Sequence, residues 1–255
     1  MDENTESVIA VVGHPIAGNP SQFAIEKAFQ SMDLDWRVFS FDVAPENLTT
    51  AIKGLHVLGV RGVLLDNNLA THQLDQLGED SQQSSPEALS RIDYYHRDAE
   101  GKLTGAECQV QTIVELVETQ VASDSTPEEA RLIFGTGDLI DGNLIDQFSK
   151  RGFRLEMLPS DLEQIPDAVG VLVGATGDQT VTLDTEEWPT TSADLPVFDL
   201  GGIGDEGLAL VVKGYRLIAS EVLWAHALGQ CFSKWTGEQA PYDVLKDAIE
   251  EYLSV

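Results

Sequence analysis

Leu132-Ile133-Phe134-Gly135-Thr136-Gly137-Asp138-Leu139-Ile140-Asp141-Gly142 decides how this chain is read: an apolar run breaks into closely spaced glycines and resumes with helical spacing. The pattern is that of a strand, a tight turn and a helix N-terminus, the opening of a dinucleotide-binding βαβ unit. Gly135 allows the tight turn, and Gly137 lets the backbone approach a pyrophosphate whose charge suits the free N–H groups of the following helix. Asp138 and Asp141 place two carboxylates in the first turn, which favours the helix dipole but repels a diphosphate at the same place. The stretch serves either as a working nucleotide turn or as a turn kept for folding.

Downstream, the segment 143–150 continues the helix and 153–158 supplies a second strand. A third, 169–173, ends in Gly174-Ala175-Thr176-Gly177, and a fourth, 197–200, precedes Gly201-Gly202. Such alternation points to a parallel sheet with helices on both faces. Long helices are expected over 218–235 and 242–253. Upstream, the β-rich run 8–12 leads through a polar turn into a helix over 22–31, with Ser21 as its expected N-cap. Strands at 35–43 and 60–65 flank a helix begun by Pro45, and 78–86 reads as an exposed loop. A hairpin over 92–96 and 102–106 and a helix over 111–122 complete the first region.

With 255 residues, 42% of them hydrophobic, the chain has ample material for a packed core. Its 15 basic and 43 acidic residues give a net charge of −28, which argues against nucleic acid and anionic membrane surfaces as partners. No apolar 20-mer or leader pattern is present, so a cytoplasmic protein is expected. Cys108 and Cys231 lack C-x-x-C or matching His spacing; they read as small buried thiols, with neither a disulfide framework nor a metal site.

Several motifs, in order, resemble the shikimate dehydrogenase family over nearly the whole chain. Gly13-His14-Pro15-Ile16-Ala17 with Asn19-Pro20-Ser21 is similar to its G-x-P-I-x-H-S-x-S-P loop, and Gly101-Lys102-Leu103-Thr104-Gly105 to the hairpin before its N-T-D motif. Gly174-Ala175-Thr176 resembles its N-A-T turn. The segment 223–237, with Phe232 and Trp235-Thr236-Gly237, resembles its M-L-x-x-Q-x-x-x-x-F-x-x-W-x-G helix. The resemblance implies an α/β fold of two domains with a cleft between them. Residues 1–110, rejoined by 238–255, would form a substrate-binding domain, and 111–237 a Rossmann-like, doubly wound dinucleotide-binding domain.

In that family a lysine and an aspartate manage the hydroxyl proton while hydride passes to NADP. Here N-V-T-x-P-x-K falls on Leu64-Leu65-Asp66-Asn67-Asn68-Leu69-Ala70 and N-T-D on Glu107-Cys108-Gln109. The lysine becomes Ala70 and the aspartate Gln109, neither of which titrates usefully. The paired serines become Asn19 and Ser21, the threonine Asp66, the tyrosine Gly202 and the late glutamine Ala227; the cleft asparagine falls near Ile92. Asp66 and Glu107 would place like charges near a carboxylate substrate, so a neutral or cationic ligand suits the cleft better.

The resemblance places substrate contacts at Asn19, Ser21, Asp66, Glu107 and His226, and cofactor contacts at Gly135, Gly137, Asp138, Ala175 and Thr176. The arginine that reads the 2′-phosphate falls near Leu158-Pro159-Ser160, where none is present, which leaves binding of NADP or NAD in doubt. Asp161 reads as a ribose contact or a surface acid. His72 and His226 are candidate replacement bases or packing residues, and Asp66 with Glu107 a carboxylate couple or two solvated acids. Two readings follow: a catalytically silent relative that binds a small molecule or a partner, and an NAD(P)-dependent oxidoreductase with a rebuilt site. The sequence does not indicate an oligomeric state.

Overall fold

The computed structural model describes residues 6–70, 91–121, 130–135, 139–158, 162–174, 185–201, 203 and 207–254. The chain divides into two compact units, Met1–Gln109 with Trp224–Val255, and Val110–Leu223. Among the described residues, no helix is long and apolar enough to cross a membrane.

The first unit is built on β1 (Ser7–Gly13), whose continuous apolar run is explained by burial on both faces between β2 (Trp36–Asp42) and β3 (Gly62–Leu65). Both neighbours run parallel to it, with Ala10 opposite Phe39 and Val63. The antiparallel strands β4 (Tyr94–Arg97) and β5 (Leu103–Ala106) extend the sheet to the order β2-β1-β3-β4-β5. The helices α1 (Ser21–Ser31), α2 (Leu48–Val57) and one-turn α3 (Asn67–Ala70) follow β1, β2 and β3 in turn.

In the second unit, α4 (Gln109–Val121) leads to an all-parallel sheet, β6 (Arg131–Phe134), β7 (Arg154–Met157), β8 (Gly170–Gly174), β9 (Pro196–Leu200) and β10 (Arg216–Ile218), in the order β10-β9-β8-β6-β7. Here α5 (Gly142–Lys150) and α6 (Gly207–Val212) are the crossover helices, and α7 (Ser220–Thr236) and α8 (Tyr242–Leu253) close the chain. The helix expected over 218–235 is α7, which begins at Ser220 because Ile218 is the last residue of β10, where Arg216, Leu217 and Ile218 pair with Pro196, Val197 and Phe198. Leu223 packs in the second unit's core, whereas Ala225, Leu228, Cys231, Phe232 and Trp235 pack in the first unit's. The return to the first unit therefore falls at Trp224 and not at 238.

Trp235 explains one glycine. A Cβ on Gly62 would clash with the Trp235 indole, so the ring lies directly on β3, and its Nε1 donates to Tyr95 O of the neighbouring β4 at 2.9 Å. Ser21 is not the N-cap of α1: its side chain is buried, and Asn19 Oδ1 accepts the Ser21 N–H at 2.9 Å instead. The Ser21 hydroxyl accepts from Trp224 Nε1 at 3.2 Å.

Candidate functional site

In the first unit the chain leaves β1 for β2 on one side and crosses to β3 on the other, so the C-terminal ends of β1 and β3 form a topological switch point, where open α/β sheets bind ligands. Gly13 ends β1 there and Asp66 follows β3. A Cβ on Gly13 would lie 2.7 Å from Ile16 Cδ1, 3.0 Å from Asp66 Cβ and 3.3 Å from Asp66 Oδ2, so only glycine lets the Asp66 side chain rest on the strand end. Asp66 N donates to Val12 O, and Asp66 Oδ1 accepts from Asn67 N at 2.9 Å. Burial raises the Asp66 carboxyl above its ordinary pKa, partly opposed by that N–H. Beside it, His14 Nδ1 and Asp42 Oδ1 pair at 2.6 Å across the ends of β1 and β2.

Ala70 and Gln109, the positions that the resemblance would give to that family's lysine and aspartate, lie on either side of a polar network around Asn67. Ala70 is fully buried on α3, its N–H donating to Asp66 O and its carbonyl accepting from Ile92 N. One turn earlier on the same helix, Asn67 Oδ1 accepts from Gln109 Nε2 at 2.5 Å and from Arg91 Nη2 at 3.2 Å. Arg91 Nε in turn donates to Asp93 Oδ1 at 2.5 Å, both side chains being nearly inaccessible to solvent. The second Asp93 oxygen accepts from Cys108 N and Gln109 N, both at 2.9 Å. A guanidinium and two amides can orient a hydroxyl through fixed donors and acceptors, but none of them exchanges a proton readily near neutral pH.

Arg91, Asp93 and Asn67 were missed by the sequence reading. The available signal was an Arg and an Asp two positions apart, opening an otherwise apolar run. Ile92, near which the family's cleft asparagine falls, packs with Leu65 and Tyr95 in the core; the polar side chain there is Asp93. Glu107 is half-buried between β5 and α4, and His226 faces Tyr242 with ring centroids 4.1 Å apart. His72 lies outside the described residues, as do Pro159, Ser160, Asp161 and Gly202. No group of three or more His, Cys, Asp or Glu among the described residues could hold a metal ion.

In the second unit, Gly135 follows β6 and its N–H donates to Leu172 O at 2.9 Å. Gly137, Asp138, Ala175 and Thr176 lie outside the described residues. The helix does not start directly beyond the glycines: Asp141, with φ −96° and ψ 177°, is the extended N-cap of α5 and accepts from Leu144 N at 2.9 Å. Asp141 therefore lies ahead of the first turn and not within it, with its carboxylate at the positive end of the helix dipole. At the neighbouring strand pair, Glu156 engages Arg131 and Arg154, each at 2.7 Å, and Arg131 holds its carboxyl below the usual range. Among the described residues, a carboxylate thus already caps this terminus.

No protein-family model matches the chain. A curated relative named shikimate dehydrogenase (NADP(+)), from Methanococcoides burtonii, is 24% identical over 283 residues, covering 98% of this chain and 100% of its own. Among solved structures, the shikimate 5-dehydrogenase of Thermus thermophilus in complex with shikimate is 19% identical, with a TM-score of 0.70, over 98% of this chain and 100% of that one. The quinate dehydrogenase of Corynebacterium glutamicum in complex with NAD has a TM-score of 0.72 at 13% identity, over 96% of this chain and 99% of that one. The resemblance read from the sequence is borne out, and the two-domain α/β fold with its Rossmann-like unit is that of these dehydrogenases.

Proposed function

We propose, from full-length homology to shikimate dehydrogenases, that this chain is a shikimate dehydrogenase-like protein whose activity on shikimate is lost or strongly altered. It keeps the switch-point end of the first unit to bind a small molecule. One observation supports this reading: Ala70 is buried and Gln109 is tied to Asn67, at the positions that the resemblance assigns to the family's lysine and aspartate. General acid–base catalysis typically supplies ~10²–10⁴-fold, and amides cannot replace it. Asp42 and Asp66 gather negative charge at the strand ends, and the guanidinium of Arg91 is already paired with Asp93. A neutral or cationic ligand fits this surface and an anion does not.

Calorimetric titration with shikimate and with its neutral methyl ester tests the charge preference. The ester is expected to bind at least ~10-fold tighter, a difference of about 1.4 kcal/mol. Equal or tighter binding of the acid would overturn the reading.

Asp66 favours a second reading, an active NAD(P)-dependent shikimate- or quinate-type dehydrogenase with a rebuilt site. A carboxyl pushed up by burial at a switch point suits a general acid or base. In this reading NADP or NAD would supply the hydride acceptor, and Asp66 would hold the proton at Oδ2, the oxygen that does not accept from Asn67 N. Loss of turnover in Asp66→Asn, in a protein that turns over otherwise, would distinguish it.

A further inference from the structure

The two cysteines carry chemistry that the candidate site does not use. Cys108 lies between β5 and α4 and Cys231 on α7; both are buried and both are free thiols. They are 123 positions apart in sequence, yet their Sγ atoms approach to 3.4 Å inside the core built by Ile9, Val11, Tyr94 and Phe232. A disulfide needs about 2.05 Å between sulfurs, so about 1.4 Å has to close, within reach of side-chain rotation at two groups already in contact.

We propose that Cys108 and Cys231 form an intramolecular disulfide when the protein meets a two-electron oxidant of the hydroperoxide class, a covalent staple between the first and last segments of the first unit. This goes beyond the proposed function and does not rest on it.

The balance is complete with the oxidant named. One thiol gives up its proton and the sulfur attacks the peroxide O–O bond; an S–O bond forms, hydroxide leaves and a sulfenic acid remains. The second thiol gives up its proton and attacks that sulfur; the S–S bond forms, the S–O bond breaks and a second hydroxide leaves. The hydroxides take up the two protons, so two thiols and one hydrogen peroxide give one disulfide and two waters. The pair of sulfurs is oxidised by two electrons and the peroxide is reduced by two.

The thiol contact with Cys231, together with burial, pushes the Cys108 thiol well up, which makes the closed core unreactive. Oxidation therefore proceeds through transient opening of α7, at a rate that levels off as peroxide is raised. Reclosure places the second sulfur beside the first, and the chain has no third cysteine to compete. The bond also reaches the candidate site, since Cys108 N and Gln109 N share the Asp93 carboxylate. The long loop that it closes restricts the unfolded chain, so the oxidised form is expected to melt higher.

The test uses the full chain, reduced and then exposed to hydrogen peroxide, with alkylation by iodoacetamide in denaturant and intact-mass measurement. The expected product is about 2 Da lighter than the reduced chain and takes no alkyl group. It yields a reducible peptide pair joining Cys108 to Cys231 and melts ~5 °C or more above the reduced form. Cys231→Ser gives no such pair. Two alkylated cysteines in the treated wild type, sulfinic or sulfonic acids in place of the linkage, or intermolecular disulfides alone would overturn the proposal.

Discussion

Replacing Arg91 with Met probes the buried ion pair that holds the candidate site together. The Arg91 and Asp93 side chains are 3% and 1% exposed, with Nε and Oδ1 2.5 Å apart. Methionine keeps much of the stem and removes the guanidinium, leaving Asp93 with the N–H groups of Cys108 and Gln109. Removing one partner of a buried pair costs about 3–5 kcal/mol. The two remaining N–H groups keep the carboxylate partly satisfied, so a loss near the lower end, about 3 kcal/mol, is expected. With a urea m-value of ~2 kcal/mol/M, the unfolding midpoint falls by about 1.5 M. Intrinsic fluorescence follows chiefly the first unit, which holds Trp36, Trp224 and Trp235 against Trp188 in the second. Adding Asp93→Asn removes the orphaned charge while keeping an oxygen for the N–H groups, and is expected to recover about 1 kcal/mol or more. Because the pair is buried, the loss stays the same at ~0.2 M and ~2 M KCl. A loss below ~0.5 kcal/mol, or a double variant no more stable than Arg91→Met, would refute this account of the pair.

Burial raises the folded-state pKa of Asp66, so its ionised form opposes folding: the penalty is absent below the ordinary carboxyl pKa and grows as pH rises through the raised value. Asp66→Asn should therefore melt with the wild type at pH ~4 and above it at pH ~8, and a difference that is flat or falls with pH would contradict the assignment. Asp141→Ala removes the N-cap of α5 and should cost ~1 kcal/mol in urea unfolding; no loss would show that the cap bond contributes nothing. In calorimetry the wild type should bind NADPH more weakly than ~100 µM and Asp141→Ala more tightly than the wild type, whereas a wild-type Kd near ~1 µM would show that the capped terminus accommodates the diphosphate. Ala70→Lys with Gln109→Asp should not restore shikimate oxidation, since Ala70 is fully buried and the resemblance implies that the substrate contacts are changed as well; recovery to ~1 s⁻¹ would show that these two positions alone decide activity.

The buried strands were legible because their apolar runs are continuous. For 8–12 the run reports burial between two parallel neighbours, and for 169–173 the same holds between β6 and β9. The three residues of β10 carry too short a pattern to be separated from the helix that follows, and only pairing with β9 makes them a strand. Ser21 matched N-cap statistics, but its place beneath Trp224 is a tertiary fact that local sequence does not encode. The resemblance assigns Ala70 and Gln109 to the family's lysine and aspartate positions. The hydrogen bonds around Asn67 were not legible, because Asn67, Arg91 and Gln109 are brought together from three separate segments. The helix start at Gly142 depends on the extended backbone of Asp141, which alternating glycines and carboxylates leave undetermined.

On the proposed function, the protein lacks the proton-transfer pair needed for shikimate oxidation. Steady-state formation of NADPH or NADH from shikimate, followed at saturating substrate and at low and high salt, tests it most directly. The expected result is no turnover above background with either cofactor. Sustained turnover of ~1 s⁻¹ or more would contradict the claim and place the chemistry on a rebuilt site that includes Asp66.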